Sequence, residues 1–129
     1  MAMSVVDAAK LLLELVELQS FARDAAQLLS ADAMEKLTFE VATLRRLGTI
    51  IPGTGGLRKF RWGTEGKGKR GGVRVIYYYG GDHMPIFLIA MYSKSEKADL
   101  SAAEKKQAVG LVREVNRAYP APASEATKL

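Results

Sequence analysis

Three extended segments follow one another between residues 57 and 91, and this succession limits the fold more than any other feature of the chain. Leu57 to Trp62 alternates with period two: Leu57, Lys59 and Arg61 fall on one face, Arg58, Phe60 and Trp62 on the other. Val73 to Tyr79 is β-branched and aromatic, the composition of a strand. Ile86 to Met91 is apolar throughout, as expected of a central strand covered on both faces. Gly63 to Gly72 reads as a Gly/Lys loop, and Gly80-Gly81-Asp82 opens a hairpin connection. Strands joined so closely predict an antiparallel meander.

The flanks are helical. Phe21, Ala25, Leu28 and Leu29 are spaced for one helix face. Ser30 can cap a second helix striped by Met34, Leu37, Val41 and Leu44, with Gly48 as its stop. Ser101-Ala-Ala-Glu104 is a capping box that opens a third helix, striped by Ala108, Leu111, Val112 and Val115. Leu11 to Leu18 suits either a helix or a strand. The fold class is therefore α+β: two N-terminal helices packed on a small, mostly antiparallel sheet, with a C-terminal helix. Residues 1–10 read as a leader of uncertain structure, 11–119 as one domain, and 120–129, with Pro120 and Pro122, as a loose tail. A chain of 129 residues is long enough for one self-sufficient core.

Charge is concentrated in the same region. Seven of the 19 basic residues lie between Arg58 and Arg74, against one acid, Glu65; the remainder holds 12 basic and 13 acidic residues. A focused patch of this kind attracts polyanions, although a solvated loop would look similar. There is no cysteine, which excludes disulfides and thiolate sites and suits a reducing cytoplasm. No stretch has the length of a membrane span or the pattern of a secretory signal, so a cytoplasmic location is expected.

Several chemistries can be set aside. Gly63 to Arg70 nearly spells a P-loop, but Arg70 stands where the magnesium-binding hydroxyl belongs, and a strand follows where a helix is needed. His83 is the single histidine, in a turn beside Asp82, so neither a metal site nor a Ser–His pair is expected. No cofactor is implied.

The cations are left. Lys59 and Arg61 share a strand face, and Arg74 belongs to the next strand. Cleavage of RNA by its own 2′-hydroxyl needs a base, positive charge at the phosphate and an acid for the leaving 5′-oxygen. Arginine's planar fork suits phosphate oxygens, and a lysine set among cations is a possible base. From the pattern alone, an ordinary solvent-facing strand accounts for these residues better. Aromatics interleave with them, and alternation puts Tyr78 on the face of Arg74, where it could stack on bases; Phe60 and Trp62 read as core.

Ile51 to Trp62, Gly66 to Tyr78 and Tyr92 to Ser101 resemble the HigB-like branch of the RelE/ParE toxin superfamily, a likeness covering about residues 15 to 117. The resemblance implies a RelE-like fold with Leu15 to Leu18 as its first strand. It also implies the toxin of a type II toxin–antitoxin pair, an mRNA interferase that cuts messenger RNA on the ribosome without metal. Its expected partners are the ribosome, messenger RNA and a helix-turn-helix antitoxin. Carried over, the candidate catalytic residues are Lys59, Arg61, Arg74 and Lys94, with Tyr92 as a substitute for a C-terminal tyrosine whose position is taken by Leu100. Arg58, Lys67, Lys69, Arg70 and Tyr78 would bind RNA or the ribosome. The alternatives are a ParE-like toxin that binds gyrase without nuclease activity, and an inactive member that binds only its antitoxin.

Overall fold

A computed structural model describes residues 13–64, 68–93 and 99–122, with only the strand backbone given at 64 and 68–71. The leader at 1–10, Lys67, Lys94 and the end of the tail lie outside these residues. In chain order the elements are β1 (Leu15–Glu17), α1 (Gln19–Leu28), α2 (Ala31–Thr43), β2 (Thr49–Ile50), β3 (Leu57–Thr64), β4 (Gly68–Tyr78), β5 (Ile86–Ser93) and α3 (Ala102–Ala118). The sheet runs β1-β5-β4-β3-β2. β1 is parallel to β5, and every other pairing is antiparallel. The ambiguous Leu11 to Leu18 stretch thus supplies a short strand.

The side-chain alternation of the strands divides the core in two. Phe60, Val75, Tyr77, Leu88 and Met91 point to the side that Phe21 and Ala25 of α1 and Leu37 and Val41 of α2 cover. Leu57, Ile76, Tyr78, Ile89 and Tyr92 point to the other side, against Ala108, Val112 and Val115 of α3. β5 lies between these layers, which is why its sequence shows no alternation. Phe21 is fully buried, and truncating such a ring to alanine typically costs about 3–5 kcal/mol.

The caps follow the sequence. Ser30 accepts a hydrogen bond from the Ala33 amide at 3.1 Å. At α3, the Ser101 hydroxyl accepts from the Glu104 amide at 3.1 Å, and the Glu104 carboxylate accepts from the Ser101 amide at 2.9 Å. These bonds satisfy amide donors that a helix start leaves without partners.

Three expectations are corrected. α2 ends at Thr43, so Leu44 lies beyond its stripe and is exposed. Gly48 is not a helix stop; it lies against β3, where a Cβ would fall 2.6 Å from the Lys59 carbonyl oxygen. Gly63 to Gly72 is also less of a loop than its glycines suggest. β3 continues to Thr64 and β4 begins at Gly68, with Thr64 opposite Gly68 and a bulge between Trp62 and Thr64. Glycine is needed here for close approach: a Cβ on Gly72 would meet the Trp62 carbonyl oxygen at 2.2 Å.

Candidate functional site

β3 is held at both ends of its approach. The Thr54 hydroxyl donates to the Ile51 carbonyl at 2.5 Å and accepts from the Leu57 amide at 3.2 Å, closing the turn that leads into the strand. From there the register is direct. Arg61 stands opposite Arg74, and Arg74 stands opposite Tyr92, forming one row across β3, β4 and β5. Lys59 lies two positions along β3, opposite Ile76, on the same face. The sheet therefore brings together the three cations expected from the sequence.

Their surroundings differ. Arg61 is exposed. Arg74 is half-buried, and its Nε is buried with no hydrogen-bond partner among the described residues. A donor left in that state carries a desolvation cost of roughly 1–3 kcal/mol, which an anionic acceptor would relieve. Lys59 reaches Asp99, with Nζ 3.4 Å from Oδ2. The carboxyl of Asp99 is held below its ordinary value, first by the Leu100 amide that it accepts from and then by the charges of Lys59 and Lys105, against the opposing effect of burial.

Tyr92 ends the row beneath the entry of α3 and is 5 % exposed. Burial pushes its hydroxyl upward, the negative charges of Asp99 and Glu104 reinforce the shift, and Arg74 opposes it. Tyr92 therefore stays protonated through the neutral range. Leu100 packs in the same layer as an apolar core residue.

The other candidates take different places. Tyr78, expected to offer a stacking face, is 6 % exposed; its hydroxyl meets Asn116 of α3, and its ring fills the core under that helix. Alternation gave the correct face but could not reveal that a helix covers it. Arg58 is on the opposite face, donating from Nη1 to the Gly48 carbonyl at 2.6 Å, so it ties the chain after α2 to β3. Lys69 and Arg70 belong to the backbone of β4. Among the described residues, no three His, Cys, Asp or Glu side chains come together to hold a metal ion.

Sequence reasoning overlooked two features. Asp99 is forty residues from Lys59 and joins it only through the fold. The second is an open depression of about 650 Å³ beside the Gly53 turn, lined by Lys105, Lys106 and Arg113 of α3. Its signal was the spacing of those cations on a helix whose other face is apolar.

No family model matches the chain. Among solved structures it is similar to the toxin RelE of E. coli, there an arginine-substituted mutant in the free state. The TM-score is 0.55 at 15% identity, covering 78% of this chain and 98% of that one. The fold is RelE-like. Within that RelE-like fold, the cation row lies on the sheet face that α3 only partly covers. No helix among the described residues is long and apolar enough to cross a membrane.

Proposed function

We propose that this chain is the toxin of a type II toxin–antitoxin pair, of the HigB-like branch, and that it cuts messenger RNA on the ribosome without a metal. The observation that carries the reading is the direct pairing of Arg61 with Arg74, whose buried Nε has no acceptor among the described residues. Two guanidinium forks on one sheet face suit the oxygens of a scissile phosphate. In the reaction the 2′-oxygen bonds to phosphorus and the bond to the 5′-oxygen breaks. The 2′-hydroxyl gives its proton to solvent water, and a proton reaches the leaving 5′-oxygen. Arg61 and Arg74 would hold the phosphate and stabilise the charge that accumulates on it. Lys59 adds a third positive charge beside them. Lys94 is a further candidate by the sequence resemblance. Tyr92, protonated at neutral pH, has the proton the leaving group needs.

The surface around the site supports a polyanionic partner. Lys105, Lys106 and Arg113 extend the positive surface over α3, and Lys67, Lys69 and Arg70 sit in the β3–β4 hairpin sequence. We assign these to ribosomal RNA. The natural inhibitor would be a helix-turn-helix antitoxin, and the site of action the cytoplasm. One observation favours a second reading, an antitoxin-binding member that does not cleave: Tyr92, the substitute for the tyrosine that the resemblance expects at Leu100, is buried. Induction in growing cells tests the proposal. Growth should stop with messages cut inside translated frames, and co-expressed antitoxin should prevent both. A DNA-damage response with intact messages would indicate gyrase instead, and harmless expression would indicate the non-cleaving reading.

A further inference from the structure

We propose that Asp99 is a positioning residue for Lys59, fixing its ammonium beside the Arg61–Arg74 pair through a carboxylate anchored to the backbone at the entry of α3. The inference rests on the endoribonuclease reading above.

The two oxygens of Asp99 have separate tasks. Oδ1 accepts from the Leu100 amide at 2.9 Å, and Oδ2 faces Lys59 Nζ at 3.4 Å. The segment that carries them is itself fixed, because the reciprocal bonds of Ser101 and Glu104 begin two residues on. A rigid acceptor thus meets a flexible four-carbon stem. Without it, Lys59 would sample many rotamers over a sheet face that Leu57 and Ile76 make apolar. With it, Nζ is held at one place, toward the entry of α3, on the face that β3 already gives to Lys59 and Arg61.

Stability does not explain the pair. The two side chains are 27% and 45% exposed, and ion pairs this accessible contribute little to folding. Among the described residues, the charged and titratable groups around Asp99 are Lys59 from β3, Lys105 from α3 and Tyr92 from β5, with Arg74 of β4 and Glu104 of α3 acting on Tyr92. Asp99 is the acid that reaches Lys59 among the described residues. Its depressed carboxyl value keeps it ionised at neutral pH, which makes it a fixed acceptor and a poor proton carrier. The role this leaves to Lys59 is that of a placed positive charge.

The test is a double-mutant cycle read by single-turnover cleavage of messenger RNA on programmed ribosomes. Asp99→Asn keeps an oxygen for the Leu100 amide and removes the charge facing Lys59. It is compared with Lys59→Gln and with the double variant. We expect Asp99→Asn to slow cleavage roughly 10- to 100-fold at unchanged ribosome affinity, and to have no further effect once Lys59 is glutamine. Asp99→Glu should recover part of the rate. Equal losses from Asp99→Asn in both backgrounds would show that Asp99 only supports α3, and no loss in either would also overturn the proposal. Thermal unfolding of each variant verifies folding. Should Asp99→Asn fail to fold, Asp99→Ser, whose hydroxyl also accepts from the Leu100 amide, must show the same coupling. A wild-type protein that never cleaves defeats the enzymatic reading and this inference together, whereas a cleaving wild type without the coupling defeats only the inference.

Discussion

Arg61 and Arg74 are direct partners in the β3–β4 ladder, two like charges placed opposite one another on the same sheet face. Like charges so placed destabilise a sheet, by something on the order of 0.2–1 kcal/mol. The arrangement therefore opposes folding while suiting a phosphate. Arg61→Thr, which puts a β-branched residue at an exposed strand position, should raise the denaturant midpoint slightly. It should also lower cleavage about 10²–10³-fold, the usual consequence of losing one preorganised donor to a transition-state oxyanion. Chemical denaturation and single-turnover cleavage of the same preparation would measure both effects.

Tyr77 should matter for stability and not for chemistry. Its hydroxyl accepts from the buried Gly48 amide at 3.0 Å and donates to the Arg45 carbonyl at 3.0 Å, pinning the turn after α2 to the sheet face away from the cations. Tyr77→Phe leaves that amide without its acceptor and should cost about 1–3 kcal/mol. Burial, the largest effect, raises the Tyr77 hydroxyl above its ordinary value. The neutral hydroxyl's contribution is thus complete below about pH 10 and disappears as pH rises through the folded value. Urea unfolding of wild type and variant should show their stability difference narrowing only in strong alkali.

The basic surface of α3 should govern ribosome affinity. Lys106 and Arg113 are exposed and line the depression beside Gly53. If each meets a phosphate, replacing both by alanine should weaken ribosome binding and reduce the salt dependence of log K by about one unit per residue. Sedimentation at several salt concentrations reads the slope. An unchanged slope would remove α3 from the contact surface.

Asp99 gives the acid dependence of stability a definite sign. Its carboxyl is depressed, chiefly by the Leu100 amide, so the contribution is present above the ordinary carboxyl value of about 3.9 and is lost as pH falls through the folded value. The stability gap between wild type and Asp99→Asn should be constant near neutrality and close below about pH 4. Denaturation across that range checks it, and a gap persisting into strong acid would mean that the carboxylate charge is not what stabilises.

Local signals made much of this legible in the sequence. The alternation of Leu57 to Trp62 and the β-branched run from Val73 predicted two paired strands, and the face shared by Lys59 and Arg61 follows from that alternation, whereas Arg74 joins it through the β3–β4 register. The serines at 30 and 101 marked two helix starts, because capping depends on a few neighbouring residues. Other features depended on tertiary structure. Alternation assigns a residue to a face but does not say what covers it, so the burial of Tyr78 under α3 could not be read. The glycines of 63–72 suggested a loop because glycine is common in loops, although Gly72 is there for contact with the Trp62 carbonyl. The Lys59–Asp99 pair spans forty residues and has no local signature.

If the Arg61–Arg74 row cuts RNA, the cut should appear at the codon exposed to it. The most direct test is a purified translation system stalled with a defined codon in the ribosomal A site. Wild-type protein, Arg74→Gln and Arg61→Thr would be added in turn, and the message ends mapped. The wild type should cleave at that codon, leaving a 5′-hydroxyl on the downstream fragment, with chelator having no effect and both variants slowed at least about 100-fold. Intact message with correctly folded wild type, or cleavage that both variants carry out at the wild-type rate, would contradict this.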